Sequence, residues 1–432
     1  METSLRKSVW RDRDFRLFWS GQSIAQVGGQ VSQFALPLIV LQLGAGSAAV
    51  GFLRAAALLP QLVLSLPAGR LADRSRCRPL MIVSDVIRFA VTFALLVAAS
   101  LHLLGFWQLL AAVLVIGSCT VLYDICYQST LPSLVSRDQL ASANFALEAS
   151  RSFATLAGPA AAGFLIGFLP IWAVLCADAV AFAVSAVTLI SLRKKESAPI
   201  PHTATQGSKG MLAGMRQVWH SPILRPMMLF VSSRNLFAGI FATYVLVFQV
   251  EELGFSMTRA AIVEIVGNAG FLLGVVAGSW LARRLRTGPL LCGGALVSAL
   301  GMTVISLADG PPALPLMIAG LVAYGVGVAS NNLQSMTLRL SITPAEVLGR
   351  VNGALRVANV GSLPVGAMLG GILTASLGLR TTMIIAAAGG LATTAVLVFS
   401  HVARIGRTLP PVEPIWAAAD RAPATAAKER SA

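Results

Sequence analysis

Apolar runs of about 20 residues recur along the whole 432-residue chain, and this recurrence limits the fold more than any other feature. A helix of that length crosses the hydrocarbon core of a bilayer, and a lipid-exposed segment must satisfy its own backbone N–H and C=O groups. The runs number about twelve: 16–43, 50–68, 79–101, 106–127, 141–168, 171–192, 223–250, 258–281, 287–308, 313–334, 351–376 and 379–402. Only 12% of residues are charged and 56% are hydrophobic, against a charged share of ~25% in soluble proteins. The fold class that follows is all-α and polytopic.

The longest polar break, 193–225, carries Arg193, Lys194 and Lys195, and Pro199, Pro201 and Gly207 there oppose regular structure. It divides the chain into a first half of six spans (1–192), a central loop (193–222), a second half of six spans (223–402) and a tail (403–432) that reads as disordered. Of 33 Lys and Arg residues, only Arg259 and Arg380 fall on one side, while Arg54, Arg88, Arg151, Arg234 and Arg356 lie within spans. The others crowd the N-terminus, the tail and alternate loops, so the positive-inside rule places both termini in the cytoplasm. The halves also echo each other. At an offset of 208 residues Asn144 falls on Asn352, Gly158 on Gly366 and Gly163 on Gly371. Two parallel pseudo-repeats, with a substrate held near mid-membrane, are the expected arrangement.

Several function classes are set aside on the same grounds. The net charge of +15 sits at helix ends rather than on the face of a soluble domain, which argues against nucleic-acid binding. Cys77, Cys119, Cys126, Cys176 and Cys292 have no paired spacing, so neither a disulfide framework nor a metal site is expected. With no phosphate-binding loop and no nucleophile–base constellation, no cofactor and no enzymatic activity are expected. The first apolar run is too long for a signal-peptide core and has no convincing cleavage site, so it is expected to remain in the protein.

Candidate residues are polar groups inside spans, where each is costly without a partner or a purpose. Gln22, Gln26, Gln30 and Gln33 share one face of the first span, suited to interhelical bonding or to lining a polar cavity. Asn144, Glu148, Arg151 and Thr155 share a face of the fifth; Glu148 can pair with Arg151 or handle a proton. Asp85 and Arg88 have the same spacing and read as structural. Asp124, beside Tyr123 and Tyr127, and Asp178 have no basic neighbour in their own spans, so both are proton-relay candidates unless another helix supplies a partner. Arg234 and Arg356, each flanked by asparagine, suit either a carboxylate-bearing substrate or the neutralisation of an acid elsewhere; Tyr324, Asn331 and Asn332 are the tenth-span candidates.

The stretch 69–80 joins two spans and holds Arg70, Arg74, Arg76 and Arg78 with a single acid, Asp73. From the residues alone it is a topogenic basic loop whose Asp could cap a helix. Gly69, Asp73 and Arg74 also match the G-x-x-x-D-R signature of the major facilitator superfamily, which this stretch resembles, with Arg76-Cys77 where that family usually has Gly-Arg. The resemblance implies a cytoplasmic latch made by Gly69, Asp73, Arg74 and Arg78. Gly158, Pro159 and Gly163 resemble the G-P-x-x-G-G element associated with exporters in that family, with Ala162 replacing one glycine.

The run Asp14-Phe15-Arg16-Leu17-Phe18-Trp19 with Gly21-Gln22, and Leu131-Pro132-Ser133-Leu134-Val135 followed by Arg137-Asp138-Gln139-Leu140, are similar to the subgroup containing the enterobactin exporter and macrolide efflux pumps. That resemblance implies export of a small organic molecule in exchange for protons, by a monomer in the cytoplasmic membrane. Import or lipid translocation by the same fold, and a non-transporting receptor or scaffold, are the rival expectations.

Overall fold

The computed structural model describes residues 9–136, 139–168, 171–193, 208–406 and 410–412, and among them there is no strand. The helices are α1 (Arg13–Gln42), α2 (Gly46–Arg74), α3 (Cys77–Ser100), α4 (Phe106–Leu134), α5 (Leu140–Phe168), α6 (Ile171–Ile190), α7 (Ser208–His220), α8 (Leu224–Val247), α9 (Met257–Ala282), α10 (Thr287–Ser306), α11 (Ala313–Ile342), α12 (Ala345–Leu377) and α13 (Leu379–Val398). A π-helical turn, Phe248–Glu252, prolongs α8. Eleven helices among the described residues are long and apolar enough to cross a membrane. The 29-residue α5 is the twelfth long helix, and part of its side chains lies outside the described residues.

Three expectations change in detail. The basic stretch is mostly helical: α2 runs to Arg74 and α3 starts at Cys77, leaving only Ser75 and Arg76 between them. Arginines are good helix formers, and Pro79 falls in the first turn of α3, where its missing N–H is no loss. The central loop contains α7, whose Val218 enters the same buried cluster as Leu224, Phe230 and Val351. The tail begins in an ordered state, because the N–H groups of Thr287 and Gly288 donate to the carbonyls of Gly406 (3.1 Å) and Ile405 (3.1 Å). Residues 413–432 lie outside the described residues.

The chain forms two compact units that do not follow its halves exclusively: residues 1–202 with 242–265 and 367–379, and residues 203–241 with 266–366 and 380–432. In the first unit α1 packs on α5 and α6, α3 on α4 and α6, and α2 on α4. Small residues make these approaches possible, as expected where lipid supplies no hydrophobic driving force between helices. Gly28 brings α1 onto Ala181 and Asp178 of α6, and Gly158 brings α5 onto Gln30. Gly51 of α2 lies against the Tyr244 hydroxyl, the Ala367 carbonyl and Gly371.

In the second unit Gly267, Gly270, Gly274 and Gly278 of α9 rest on α11, and Gly366 of α12 rests on the Leu236 carbonyl of α8. The echo of Gly158 by Gly366 in the sequence is therefore an echo in packing. A Cβ at Gly366 has no room without parting two helices, whereas at Gly353 it meets nothing within 4 Å. Gly366→Ala is expected to lower stability by about 1–3 kcal/mol, the range for overpacking, and Gly353→Ala to leave it unchanged; thermal melts in detergent compare the two.

Candidate functional site

The interior of the first unit is charged. Asp85 and Arg88 of α3, 0% and 5% exposed, form an ion pair. The guanidinium lies between two rings, 4.3 Å from the centroid of Tyr123 on α4 and 4.7 Å from that of Phe182 on α6. Tyr123 Oη meets Ser185 Oγ at 3.1 Å and accepts from the Gln22 amide of α1. Four helices thus meet in one polar knot, in a setting where an uncompensated charge is most costly.

Beside it, Asp178 of α6 is 6% exposed, and its Oδ1 is buried with no hydrogen-bond partner among the described residues. Ser32 of α1 lies next to it, and Arg88 is a cation whose field reaches it. Gly28 matters here, because a side chain at that position would press on the carboxylate. No ion pair to Asp178 occurs among the described residues.

A second group gathers around Tyr127, which stacks on Phe18 with centroids 5.5 Å apart. Asp124, Glu148 and Arg151 all act on it electrostatically, so α4 and α5 bring these expected residues together. All three charged residues are exposed, unlike Asp178. The glutamine stripe divides along its length: Gln22 is buried in the knot, Gln26 and Gln30 are half-buried, and Gln33 is exposed. With its amide oxygen turned toward α2, Gln33 accepts from both terminal nitrogens of Arg54, at 2.9 and 2.8 Å.

In the second unit α8 and α11 unite Arg234, Tyr324, Asn331 and Asn332. Arg234 donates to Asn331 Oδ1 at 3.4 Å and to Asn332 Oδ1 at 3.3 Å, while Asn331 Nδ2 donates to the Leu291 carbonyl at 3.0 Å. Tyr324 packs on Phe241, centroids 5.2 Å apart, and lines a small hollow with Arg234, Phe230 and Met302. Among the described residues no carboxylate pairs with Arg234. A guanidinium has five donors, of which these two long amide bonds use two, and the hollow beside it is about 10 Å³, room for a single water.

Of the expected latch, Arg78 donates to the carbonyls of Leu189 (2.8 Å), Ile190 (2.9 Å) and Leu192 (2.7 Å), closing the C-terminal end of α6. Gly69 and Arg74 lie in the last turns of α2, with Arg74 exposed. The side chains of Asp73, Pro159 and Arg356, and the surroundings of Gly163, lie outside the described residues.

The residues that sequence reasoning undervalued are Asp85 and Arg88. Their spacing gave the pair, but its cage of Tyr123, Phe182, Ser185 and Gln22 comes from three other helices and leaves no local pattern.

The sequence model of the Major Facilitator Superfamily matches residues 18–359. The chain is 26% identical over 379 residues to the "Multidrug efflux pump Tap" of Mycobacterium tuberculosis (strain ATCC 25618 / H37Rv), covering 84% of this chain and 87% of that one. It is 27% identical over 366 residues to the "Uncharacterized MFS-type transporter y4rN" of Sinorhizobium fredii, covering 81% and 86%. A bacterial homologue of the iron transporter ferroportin in its inward-facing state superposes with a TM-score of 0.73 at 16% identity, over 89% of this chain and 98% of the other. The nucleoside transporter NupG does so with a TM-score of 0.71 at 13% identity, over 89% and 98%. Twelve long helices among the described residues and a family match over residues 18–359 together make this chain a member of the major facilitator superfamily.

Proposed function

We propose that the protein is a proton-driven exporter of small organic molecules in a bacterial cytoplasmic membrane, working by alternating access. The likeness to a multidrug efflux pump over most of both chains carries this reading. Proton coupling rests on Asp178, a buried carboxyl without an ion-pair partner among the described residues. Such a group is ionised at a cost and is neutral when protonated, so proton binding biases whichever conformation shields it. Arg234 with Asn332 and Tyr324 supplies the polar anchor for the substrate, which favours compounds bearing a carboxylate or another planar acceptor. Asp124, Glu148 and Arg151 around Tyr127 form an exposed charged group suited to gating rather than to proton storage. Both termini are cytoplasmic and the working unit is a monomer.

Accumulation of a panel of macrolides, dyes and catecholate siderophores in an efflux-deficient bacterium expressing the chain tests the reading. Accumulation is expected to fall for at least one compound and to recover with a protonophore. Unchanged accumulation of the whole panel, with membrane insertion verified, contradicts drug export, and increased accumulation points to import.

A further inference from the structure

The first unit carries a groove of about 1070 Å³ whose floor is α1 and whose walls are α5 and α6. Phe145 (76% exposed), Phe153 (65%) and Val180 (53%) stand along its rim. Three of its polar side-chain groups are committed to backbone carbonyls. Ser23 Oγ donates to the Trp19 carbonyl at 2.8 Å, Ser150 Oγ to the Ala146 carbonyl at 3.1 Å, and Trp19 Nε1 to the same Ala146 carbonyl at 3.3 Å. A groove in which these donors are occupied offers an apolar chain a seat and a polar ligand little to bind.

The groove follows α1 from Trp19 to Val31, twelve residues or about 18 Å of helix, close to one leaflet of a ~30 Å hydrocarbon core. One end is aromatic: Trp10 meets Trp19 edge-on at 5.0 Å, as befits an interfacial level. Beyond it stand Arg11, Arg13 and Arg16, all exposed, with Arg16 one turn before Trp19 on the same stripe of α1. The acids at this end are occupied by backbone: Asp12 accepts from the N–H of Asp14 and Phe15, and buried Asp14 accepts from the N–H of Arg193 at 3.1 Å. The described residues at the mouth thus carry three guanidinium groups against two carboxylates.

We infer that this groove is a binding site for an anionic phospholipid, with an acyl chain laid along α1 between α5 and α6 and its phosphate held by Arg11, Arg13 and Arg16. The dimensions match a chain within one leaflet, and the arginines match its headgroup charge. The site depends on the membrane-spanning fold and is independent of the direction of transport.

The test uses the purified full chain with phosphatidylglycerol carrying a photoactivatable diazirine at mid-chain, and mass-spectrometric mapping of the labelled peptides. Labelling is expected to concentrate on residues 19–31 and 142–161. Unlabelled phosphatidylglycerol should compete far better than phosphatidylcholine, by a factor that falls about fivefold for each arginine removed among Arg11→Gln, Arg13→Gln and Arg16→Gln. Ala149→Trp, which fills the groove, should abolish the labelling, while Arg259→Gln should leave it unchanged. Label spread evenly over the apolar helices of the wild-type chain, equal competition by phosphatidylcholine, or displacement by a macrolide or dye would each overturn the assignment.

Discussion

Arg88→Met is expected to lower stability by about 3–5 kcal/mol, because it strands the fully buried carboxylate of Asp85. Asp85→Leu alone should cost a similar amount by stranding the guanidinium. The double replacement should recover much of the loss, since a neutral apolar pair of similar volume needs no compensation. Recovery will be incomplete, because Arg88 also lies against Tyr123 and Phe182 and those contacts disappear with it. A double-mutant cycle on reversible unfolding of the reconstituted protein measures the coupling. Losses that simply add would show that the two charges are solvated separately and that the knot is not a unit.

The second large effect concerns energy coupling. Asp178→Asn preserves shape and removes the proposed proton site, so gradient-driven substrate concentration is expected to fall by about tenfold or more, within the usual 1–3 kcal/mol range of coupling free energies. Substrate counterflow, which needs the binding site and the rocking motion but no proton, should stay within about twofold of wild type. Asp124→Asn should change the first quantity little, because its carboxylate is exposed rather than buried. An equal loss of counterflow and driven transport in Asp178→Asn would make this residue structural.

The spans were legible because a bilayer imposes one requirement, an apolar length, that any 20-residue window displays. The glycines at the two repeat-related positions have a packing reason: Gly158 lies against Gln30 and Gly366 against the Leu236 carbonyl, and neither position has room for a Cβ. Arg234, Asn331 and Asn332 were each legible as separate candidates because each is costly alone inside a span, but their meeting was not, since 97 residues separate Arg234 from Asn331. The helical continuation through Arg74 was hidden, since charge marks the membrane boundary and not the end of a helix. The docking of α7 was hidden for a related reason. Its buried face includes Gln217, and Gly214 rests on the Arg350 carbonyl far along the chain. The cage around Arg88 needed four helices to be placed before it could be seen.

The most direct test of proton-driven export is transport into everted membrane vesicles containing the protein, with a compound identified by the accumulation panel. An acid-inside pH gradient should concentrate the compound in the lumen, nigericin should abolish that concentration, and Asp178→Asn should fail to produce it. Concentration that persists without the pH gradient, or movement of the compound out of the lumen under the same gradient, would contradict the account.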